Sequence, residues 1–244
     1  LVRSRGLGDV YKRQVHALYN YTFNGKHTLT VGADYLRDYL MSYQFTDNAD
    51  HTMHTADAFG QFDWNPTERL NVIAGLRFDY FSDSNVRHLS PHLGMMYKIG
   101  NCSLRGSYSQ GFRSPTLKEM YMVFNMANMM MIYGNPDLKS ETSHNFSVSA
   151  EYTKSRYNFS ITGYYNLVHN RINTVYSEDP KGQIYTNTDK MDIAGIDANV
   201  SAKYPCGLGY RLSYTYIHEF MRDGQKKFTD TRPHTATVRI DWGK

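Results

Sequence analysis

From Val15 onward, apolar and polar residues alternate with a period of two, and this alternation predicts strands with one apolar face. The clearest run is residues 70–80, where apolar side chains alternate with residues such as Asn71, Arg77 and Asp79. The alternation predicts eleven strands, at residues 15–23, 27–41, 54–64, 70–80, 89–99, 102–111, 145–152, 157–167, 196–204, 208–216 and 233–242.

The length of these runs favours strands that cross a membrane. Strands of soluble proteins most often have about 5–6 residues, whereas a tilted strand that spans a bilayer needs about 9–11. Nearly every run here reaches the longer figure. A soluble β-sandwich would show the same alternation on its inward faces, so the connections must separate the two classes.

Short turns and long polar connections alternate strictly along the chain. The short turns are predicted at 24–26, 65–68, 100–101, 154–155 and 205–207, and the long connections at 42–53, 82–88, 112–140, 171–187 and 219–231. This is typical of an antiparallel up-and-down transmembrane β-barrel, with all its short turns at one end. Aromatic residues are expected to form a girdle at that end: Phe23, Trp64, Tyr97, Tyr152, Tyr157, Tyr204, Tyr210 and Trp242.

Composition is compatible with this all-β prediction. The chain has 244 residues, 41% of them hydrophobic, and a mean hydropathy of −0.59. No apolar run approaches the roughly 18 residues that a membrane helix needs. In a membrane barrel, apolar residues that face lipid alternate with polar residues that face the lumen, so the mean hydropathy resembles that of a soluble protein.

The first fourteen residues account for most of the net charge. They contain Arg3, Arg5, Lys12 and Arg13 against Asp9, so the rest of the chain carries only +1 of the formal +4. This balance gives no reason to expect a nucleic-acid partner. Residues 1–14 show no strand pattern and resemble sequencing-adapter read-through, so we interpret them as a non-native leader and base the fold prediction on residues 15–244.

The connection at 112–140 carries the most informative residues. Ser114 and Pro115 suit an N-cap and first helical position, and residues 116–119 fit a capping box, so a short surface helix is predicted at about 115–124. A methionine cluster follows, and residues 134–137 close the segment as a turn. The cluster consists of Met120, Met122, Met126, Met129, Met130 and Met131.

Two motifs in this connection resemble those of the TonB-dependent outer-membrane receptors. Residues 111–121, GFRSPTLKEMY, are similar to the family pattern G-F-R-A-P-x-L-K-E-L-Y, and residues 134–143, GNPDLKSETS, are similar to G-N-P-D-L-K-P-E-x-S. The departures are Ser114 for Ala, Met120 for Leu and Ser140 for Pro. A looser resemblance covers most of 15–244.

The resemblance implies a plugged barrel of about 22 strands in the bacterial outer membrane. Such receptors import iron complexes, haem or cobalamin with energy delivered through the TonB complex. Eleven strands are then about half a barrel, and residues 15–244 are a C-terminal portion without the plug domain and the final strands. Outer-membrane lipid and lipopolysaccharide are the expected surroundings, and no cofactor is expected.

The resemblance and the loop chemistry together predict a ligand-binding set in the extracellular loops. Its members are Arg113, Tyr121, Met122, Met126, Met129, Met130, Tyr133, Asn135 and Asp137. Basic side chains there would attract an anionic ferric siderophore or a haem propionate. The methionines would contact a large ligand or supply soft ligands to haem iron or copper, or simply pack the loop, which their number favours.

Haem receptors of the family usually carry a histidine between the two motifs, and none lies between Arg113 and Asn135. His51 and His54 in another long connection are the remaining candidates for a metal. No catalytic constellation is found, so an enzyme is not predicted. The function predicted is uptake of an iron chelate, with a cobalamin receptor, or a non-energised porin or adhesin, as alternatives.

Overall fold

The computed structural model of the chain describes residues 9–41, 50–82, 85–126, 130–178, 180–188, 191–221 and 232–243. Met129, residues 1–8 of the proposed leader and most of the connection at 219–231 lie outside these ranges. Among the described residues, no helix is both long and apolar enough to cross a membrane.

Eleven strands form one large antiparallel sheet in which each strand pairs with the next one of the sheet along the chain. They are β1 (Asp9–Phe23), β2 (His27–Met41), β3 (Asp50–Trp64), β4 (Leu70–Phe81), β5 (Val86–Ile99), β6 (Cys102–Arg113), β9 (Glu141–Lys154), β10 (Tyr157–His169), β13 (Met191–Lys203), β14 (Leu208–Met221) and β15 (His234–Trp242). All eleven predicted strands are confirmed, and a soluble two-sheet sandwich is excluded.

Two of the long connections contain further structure. The β6–β9 connection holds helix α1 (Leu117–Tyr121) and strands β7 (Val123–Met126) and β8 (Met130–Tyr133), and the β10–β13 connection holds β11 (Arg171–Glu178) and β12 (Lys181–Thr188). These four strands form a second sheet in the order β11-β12-β8-β7, which we call the loop sheet. The alternation in the sequence does not predict these four strands.

The short turns follow from local backbone chemistry. Gly25 and Gly100 adopt φ values of 64° and 58°, a left-handed conformation that glycine reaches without steric cost and that tight hairpins require. Lys26 N–H closes its turn by donating to the Phe23 carbonyl at 3.0 Å. The predicted aromatic girdle is confirmed at this end, where Trp64 and Trp242 are 45% and 72% exposed.

Successive side chains of each strand point to opposite faces of the large sheet. One face, which we call the apolar face, presents large exposed hydrophobic groups, among them Leu93, Met95, Val148 and Ile161. So extended an exposed apolar surface is unfavourable in water and is typical of contact with lipid. The opposite face, the polar face, carries Asp57 and most other charged side chains of the strands.

A row of titratable side chains crosses the polar face. His16, Asp34, Asp57, Asp79 and His88 stand directly opposite one another on β1 to β5. The carboxyl groups of Asp57 and Asp79 are almost fully buried, and a single guanidinium joins them. Its Nη2 lies 3.0 Å from Asp57 Oδ2 and its Nε 2.8 Å from Asp79 Oδ1.

That guanidinium belongs to Arg77, which shares the polar face of β4 with Asp79. Three carboxylates in adjacent strands repel one another, so a cation among them offsets part of the electrostatic cost of burying two of them. Arg77 is therefore the cation that pairs with both buried carboxylates of the row, while Asp34 lies against His16.

Several strands extend beyond their predicted limits. β1 begins at Asp9 rather than Val15, because residues 9–14 continue its backbone pairing with β2 and Lys12 Nζ lies 3.4 Å from Asp38. The statement that residues 1–14 lack strand structure is thus wrong for 9–14, whereas their non-native origin stays a prediction. β3 and β13 likewise begin several residues before their apolar alternation, since polar residues pair equally well through their backbones.

Candidate ligand-binding site

Helix α1 begins the β6–β9 connection, and a capping box fixes its first turn. Thr116 is the N-cap: its Oγ1 accepts a hydrogen bond from the Glu119 N–H at 3.3 Å, and the Glu119 carboxylate accepts one from the Thr116 N–H at 2.9 Å. The predicted capping box is confirmed. The prediction of Ser114 as N-cap is wrong, because Thr116 occupies that position. The predicted helix span 115–124 is also wrong, because Met122 is already extended and the chain continues into β7.

The helix is not the surface helix that the sequence predicts. Leu117 and Met120 are 5% and 4% exposed and pack with Leu40 and Met53 in one hydrophobic cluster. Met53 shares the polar face of β3 with Asp57. The connection therefore folds over the polar face, and Met120 packs the loop rather than presenting its sulfur to a ligand.

Arg113 joins the helix to two strands. Its Nη1 donates to both carboxylate oxygens of Glu119 at 2.9 Å, and its Nη2 lies 3.4 Å from Glu141 Oε2. The same Glu141 oxygen accepts a hydrogen bond from the Ile172 N–H at 3.1 Å, so it also holds the start of β11. Burial alone would lower the pKa of the Arg113 guanidinium, but the two glutamates outweigh it and raise that pKa.

The second sequence motif ties the two long connections together. Asn135 donates its backbone N–H to the Glu119 carbonyl at 2.9 Å and its side-chain amide to the Tyr185 carbonyl at 3.0 Å. Asn187 returns the link, since its amide oxygen accepts from the Lys139 N–H at 2.7 Å and its amide nitrogen donates to the Lys139 carbonyl at 2.8 Å. The motif thus holds two loops in a fixed relation.

The loop sheet completes this link. β8 and β12 pair in parallel, with Ile132 opposite Gln183 and Tyr133 opposite Ile184. Gly182 permits the approach, because a Cβ there would stand 2.5 Å from the Met131 carbonyl oxygen. Two connections that are separate in sequence therefore form one surface, which we call the loop platform.

The predicted ligand-binding residues fall into three groups. Arg113 and Asn135 are held by the contacts above, Tyr121 stacks on His51 with ring centroids 3.9 Å apart, and Met122 packs against the hydrophobic cluster. Met130 and Tyr133 are partly exposed members of β8, and Asp137 is exposed in the closing turn. Met129 and the side chain of Met126 lie outside the described residues.

His51 and His54 do not form a chelating pair. They are three residues apart on β3, so their side chains emerge on opposite faces. His51 stacks on Tyr121, whereas the Nδ1 of His54 lies 2.6 Å from the Tyr35 hydroxyl. In the described ranges, no group of three or more His, Cys, Asp or Glu side chains is arranged to hold a metal ion.

The sequence reasoning missed three residues that organise the platform. Glu119 was visible as a capping residue but not as the partner of Arg113, six residues earlier. Glu141 and Asn187 gave no local signal, because their partners belong to other connections. These residues position the platform, while exposed side chains such as Tyr176, 56% exposed, are free to meet a ligand from solution.

Glu119→Ala is expected to loosen α1, because it removes the capping box and the main partner of Arg113. We expect a local destabilisation of about 2–3 kcal/mol, the sum of a lost cap and a lost charge-assisted hydrogen bond. Hydrogen–deuterium exchange of residues 113–126 measures it. Lys118→Ala, on the exposed side of the same helix, is the control, and unchanged exchange in Glu119→Ala would contradict the assignment.

An antiparallel meander with a continuous apolar face, an aromatic girdle at its short turns and folded long connections at the other end is typical of outer-membrane β-barrels. The family model described as "TonB dependent receptor-like, beta-barrel" matches residues 3–244. The chain belongs to this family, as the two motifs in the β6–β9 connection predict, and members of the family are transport receptors rather than enzymes.

Curated relatives carry related names. The chain is 27% identical over 241 residues to the iron-regulated outer membrane virulence protein of Vibrio cholerae, covering 89% of this chain and 36% of that protein. It is 32% identical over 111 residues to the vitamin B12 transporter BtuB of Photobacterium profundum, covering 44% of this chain and 17% of that one. The chain thus spans little more than a third of the first relative.

Solved structures agree on the fold. The siderophore receptor PirA from Pseudomonas aeruginosa superposes with a TM-score of 0.81 at 18% identity, over 96% of this chain and 43% of that one. The siderophore receptor PirA from Acinetobacter baumannii superposes with a TM-score of 0.73 at 20% identity, over 96% of this chain and 40% of that one. The eleven strands are accordingly a portion of a TonB-dependent barrel.

Proposed function

We propose that the protein containing this chain is an outer-membrane receptor that binds an iron chelate on its extracellular loops and imports it with energy delivered through TonB. The observation that carries the proposal is the loop platform. It joins two long connections into one surface and turns α1 over the polar face, which is the lumen side of such a barrel. A ligand bound there would be positioned at the mouth of the transport path.

The chemistry of the platform suits a ferric siderophore better than haem. Tyrosine rings offer large rigid contact surfaces with a polar edge, and Tyr133, Tyr176 and Tyr185 all belong to the loop sheet. Burial, helped by the charge of Glu119, raises the pKa of the Tyr185 hydroxyl, so it stays neutral. A haem site needs an axial ligand, and the two candidate histidines occupy opposite faces of β3.

The names of the relatives support the same class of ligand. One is called iron-regulated, and two structural neighbours are called siderophore receptors. A cobalamin receptor is the second candidate, because the vitamin B12 transporter matches almost half of this chain. Family membership disfavours the non-energised porin or adhesin.

The test is to express the complete gene in outer membranes and measure saturable binding of a ferric catecholate, a ferric hydroxamate, haem and cobalamin. Uptake of each is then compared with and without TonB. We expect one ferric siderophore to bind and to enter only with TonB. Saturable binding of cobalamin alone would show that the iron assignment is wrong, and uptake that does not need TonB would contradict the energised mechanism.

Tyr176→Ala is expected to weaken siderophore binding about tenfold, the effect of losing one aromatic contact worth about 1.4 kcal/mol. Lys154→Ala, in the short turn at the opposite end, is the control and should bind as the parent does. Equal binding by both variants would remove Tyr176 from the ligand surface.

A further inference from the structure

Three tyrosine–histidine pairs occur on the apolar face of the large sheet. In each pair the tyrosine hydroxyl lies within hydrogen-bond distance of the histidine Nδ1. The pairs are Tyr35–His54 at 2.6 Å, Tyr108–His144 at 2.9 Å and Tyr214–His234 at 2.7 Å.

The three pairs have the same geometry. Tyr35, Tyr108 and Tyr214 stand opposite Ala56, Phe146 and Ala236, and each histidine lies two residues from that opposite position, towards the long connections. Diagonal neighbours on one face are within reach of aromatic side chains. When the hydroxyl donates to Nδ1, the neutral imidazole carries its proton on Nε2. Each pair therefore holds a histidine ring that keeps one N–H donor for another partner.

The pairs lie at one border of the apolar band. His54, His144 and His234 precede the short-turn ends of their strands, Trp64, Lys154 and Trp242, by ten, ten and eight residues. At about 3.3 Å per residue and a tilt of about 35–45°, this corresponds to a rise of about 19–27 Å. An outer-membrane barrel has an apolar band about 25 Å tall, so these histidines meet the membrane–water border opposite the aromatic girdle.

The two borders differ in chemistry. In the described strands, five of the ten histidines of the chain occupy the apolar face near the long connections: His54, His144, His169, His218 and His234. On the same face at the short-turn end, the described strands place His27, whose Nδ1 already accepts the Asn65 N–H at 3.0 Å.

Cations accompany the histidines at the long-connection border. Arg37 stands opposite His54, and the Arg87 guanidinium lies 5.9 Å from the centre of the Tyr80 ring. One carboxylate of this border, that of Asp192, accepts a hydrogen bond from Tyr165 at 2.9 Å, and Asp50 lies further out, at the first residue of β3. Hydrogen-bond donors are thus concentrated at the outer border, where the two arginines are matched in number by two carboxylates.

We propose that the three tyrosine–histidine pairs bind the phosphorylated headgroups of the outer-leaflet lipid. The inference rests on the outer-membrane location in the proposed function. Each tyrosine orients its imidazole, the imidazole N–H donates to a phosphate oxygen, and Arg37 opposite His54 adds a positive charge beside one of the pairs. Phosphate is the favoured acceptor because it combines negative charge with several strong acceptor oxygens.

The test uses the complete receptor, purified and placed in vesicles that contain bisphosphorylated lipid A. Native mass spectrometry counts the lipid A molecules retained per receptor. The triple variant His54→Phe, His144→Phe, His234→Phe keeps the rings and loses the N–H donors, and we expect about tenfold weaker retention, as for the loss of one hydrogen bond to a charged group. His92→Phe, on the polar face of β5, is the matched control.

A second variant guards against misfolding. Tyr35→Phe, Tyr108→Phe and Tyr214→Phe together keep all rings but release the histidines, and retention should again fall. The inference is overturned if the parent and both triple variants retain the same amount of lipid A. It is also overturned if the parent retains dephosphorylated and bisphosphorylated lipid A equally, or if inorganic phosphate displaces the bound lipid A. If the parent protein is absent from the outer-membrane fraction, the proposed function is contradicted. If the parent is present there but retains no more lipid A than the two triple variants, this inference alone is contradicted.

Discussion

Arg77→Met in the complete receptor is expected to lower the free energy of unfolding by about 2–3 kcal/mol. The substitution leaves Asp57 and Asp79, whose side chains are 5% and 9% exposed, without the cation between them. Removing one partner of a buried pair costs about 3–5 kcal/mol, and the half-exposed guanidinium reduces that figure. Equilibrium unfolding in guanidinium chloride, with the receptor in lipid vesicles, gives the difference.

Two further variants make this result specific. Adding Asp57→Asn to Arg77→Met removes one of the two unpaired charges and should restore part of the lost stability. Arg239→Met breaks the pair with Asp241, in which both side chains are more than half exposed, so its effect should stay below about 0.5 kcal/mol. Equal losses in Arg77→Met and Arg239→Met would mean that the row of carboxylates is not electrostatically strained.

Gly134→Ala is expected to reduce ligand affinity about ten- to hundredfold. A Cβ at this position would lie 2.7 Å from the Met120 carbonyl oxygen and 2.9 Å from the Met122 nitrogen, both of them backbone atoms that cannot rotate away. The Gly134 N–H also donates to the Met122 carbonyl at 2.8 Å. Overpacking of this kind costs about 1–3 kcal/mol, which corresponds to the stated range of affinity.

The matched control is Gly106→Ala in β6, where a Cβ meets nothing within 4 Å. It should leave affinity unchanged. Hydrogen–deuterium exchange of residues 116–140 gives a second measurement that does not depend on the identity of the ligand, and it should rise in Gly134→Ala alone. If exchange and affinity both match the parent, the close approach of Gly134 to α1 is not structurally required.

The sequence predicted the large sheet because its signals are local. Period-two alternation records which face each residue occupies, and turns such as the one at Gly100 require a residue that tolerates positive φ. The strand ends near the long connections were predicted less well. Backbone pairing continues there through polar residues such as Asp50 and Asp192, and the alternation does not predict it.

The loop platform was predicted only in part because its contacts join distant residues. The capping box at residues 116–119 is a local pattern and was found. The contacts of Arg113 with Glu141 and of Asn135 with Tyr185 join different segments of the chain, so neither motif alone predicts them. The ligand-binding role of Arg113 and Asn135 stays a prediction. The parallel pairing of β8 with β12 has no signature in either segment alone.

That parallel pairing also sets an order of assembly. Ile132 and Gln183 can meet only after β9 and β10 have brought their two connections together, because closing so long a loop costs chain entropy before any contact is gained. The pairing of β8 with β12 is therefore expected to form after β9 and β10 have paired, whereas the local hairpins β7–β8 and β11–β12 do not depend on that step. By the same reasoning we expect the loop sheet to open at a lower free energy than the strands beneath it, so the loop platform can rearrange while the barrel wall stays folded.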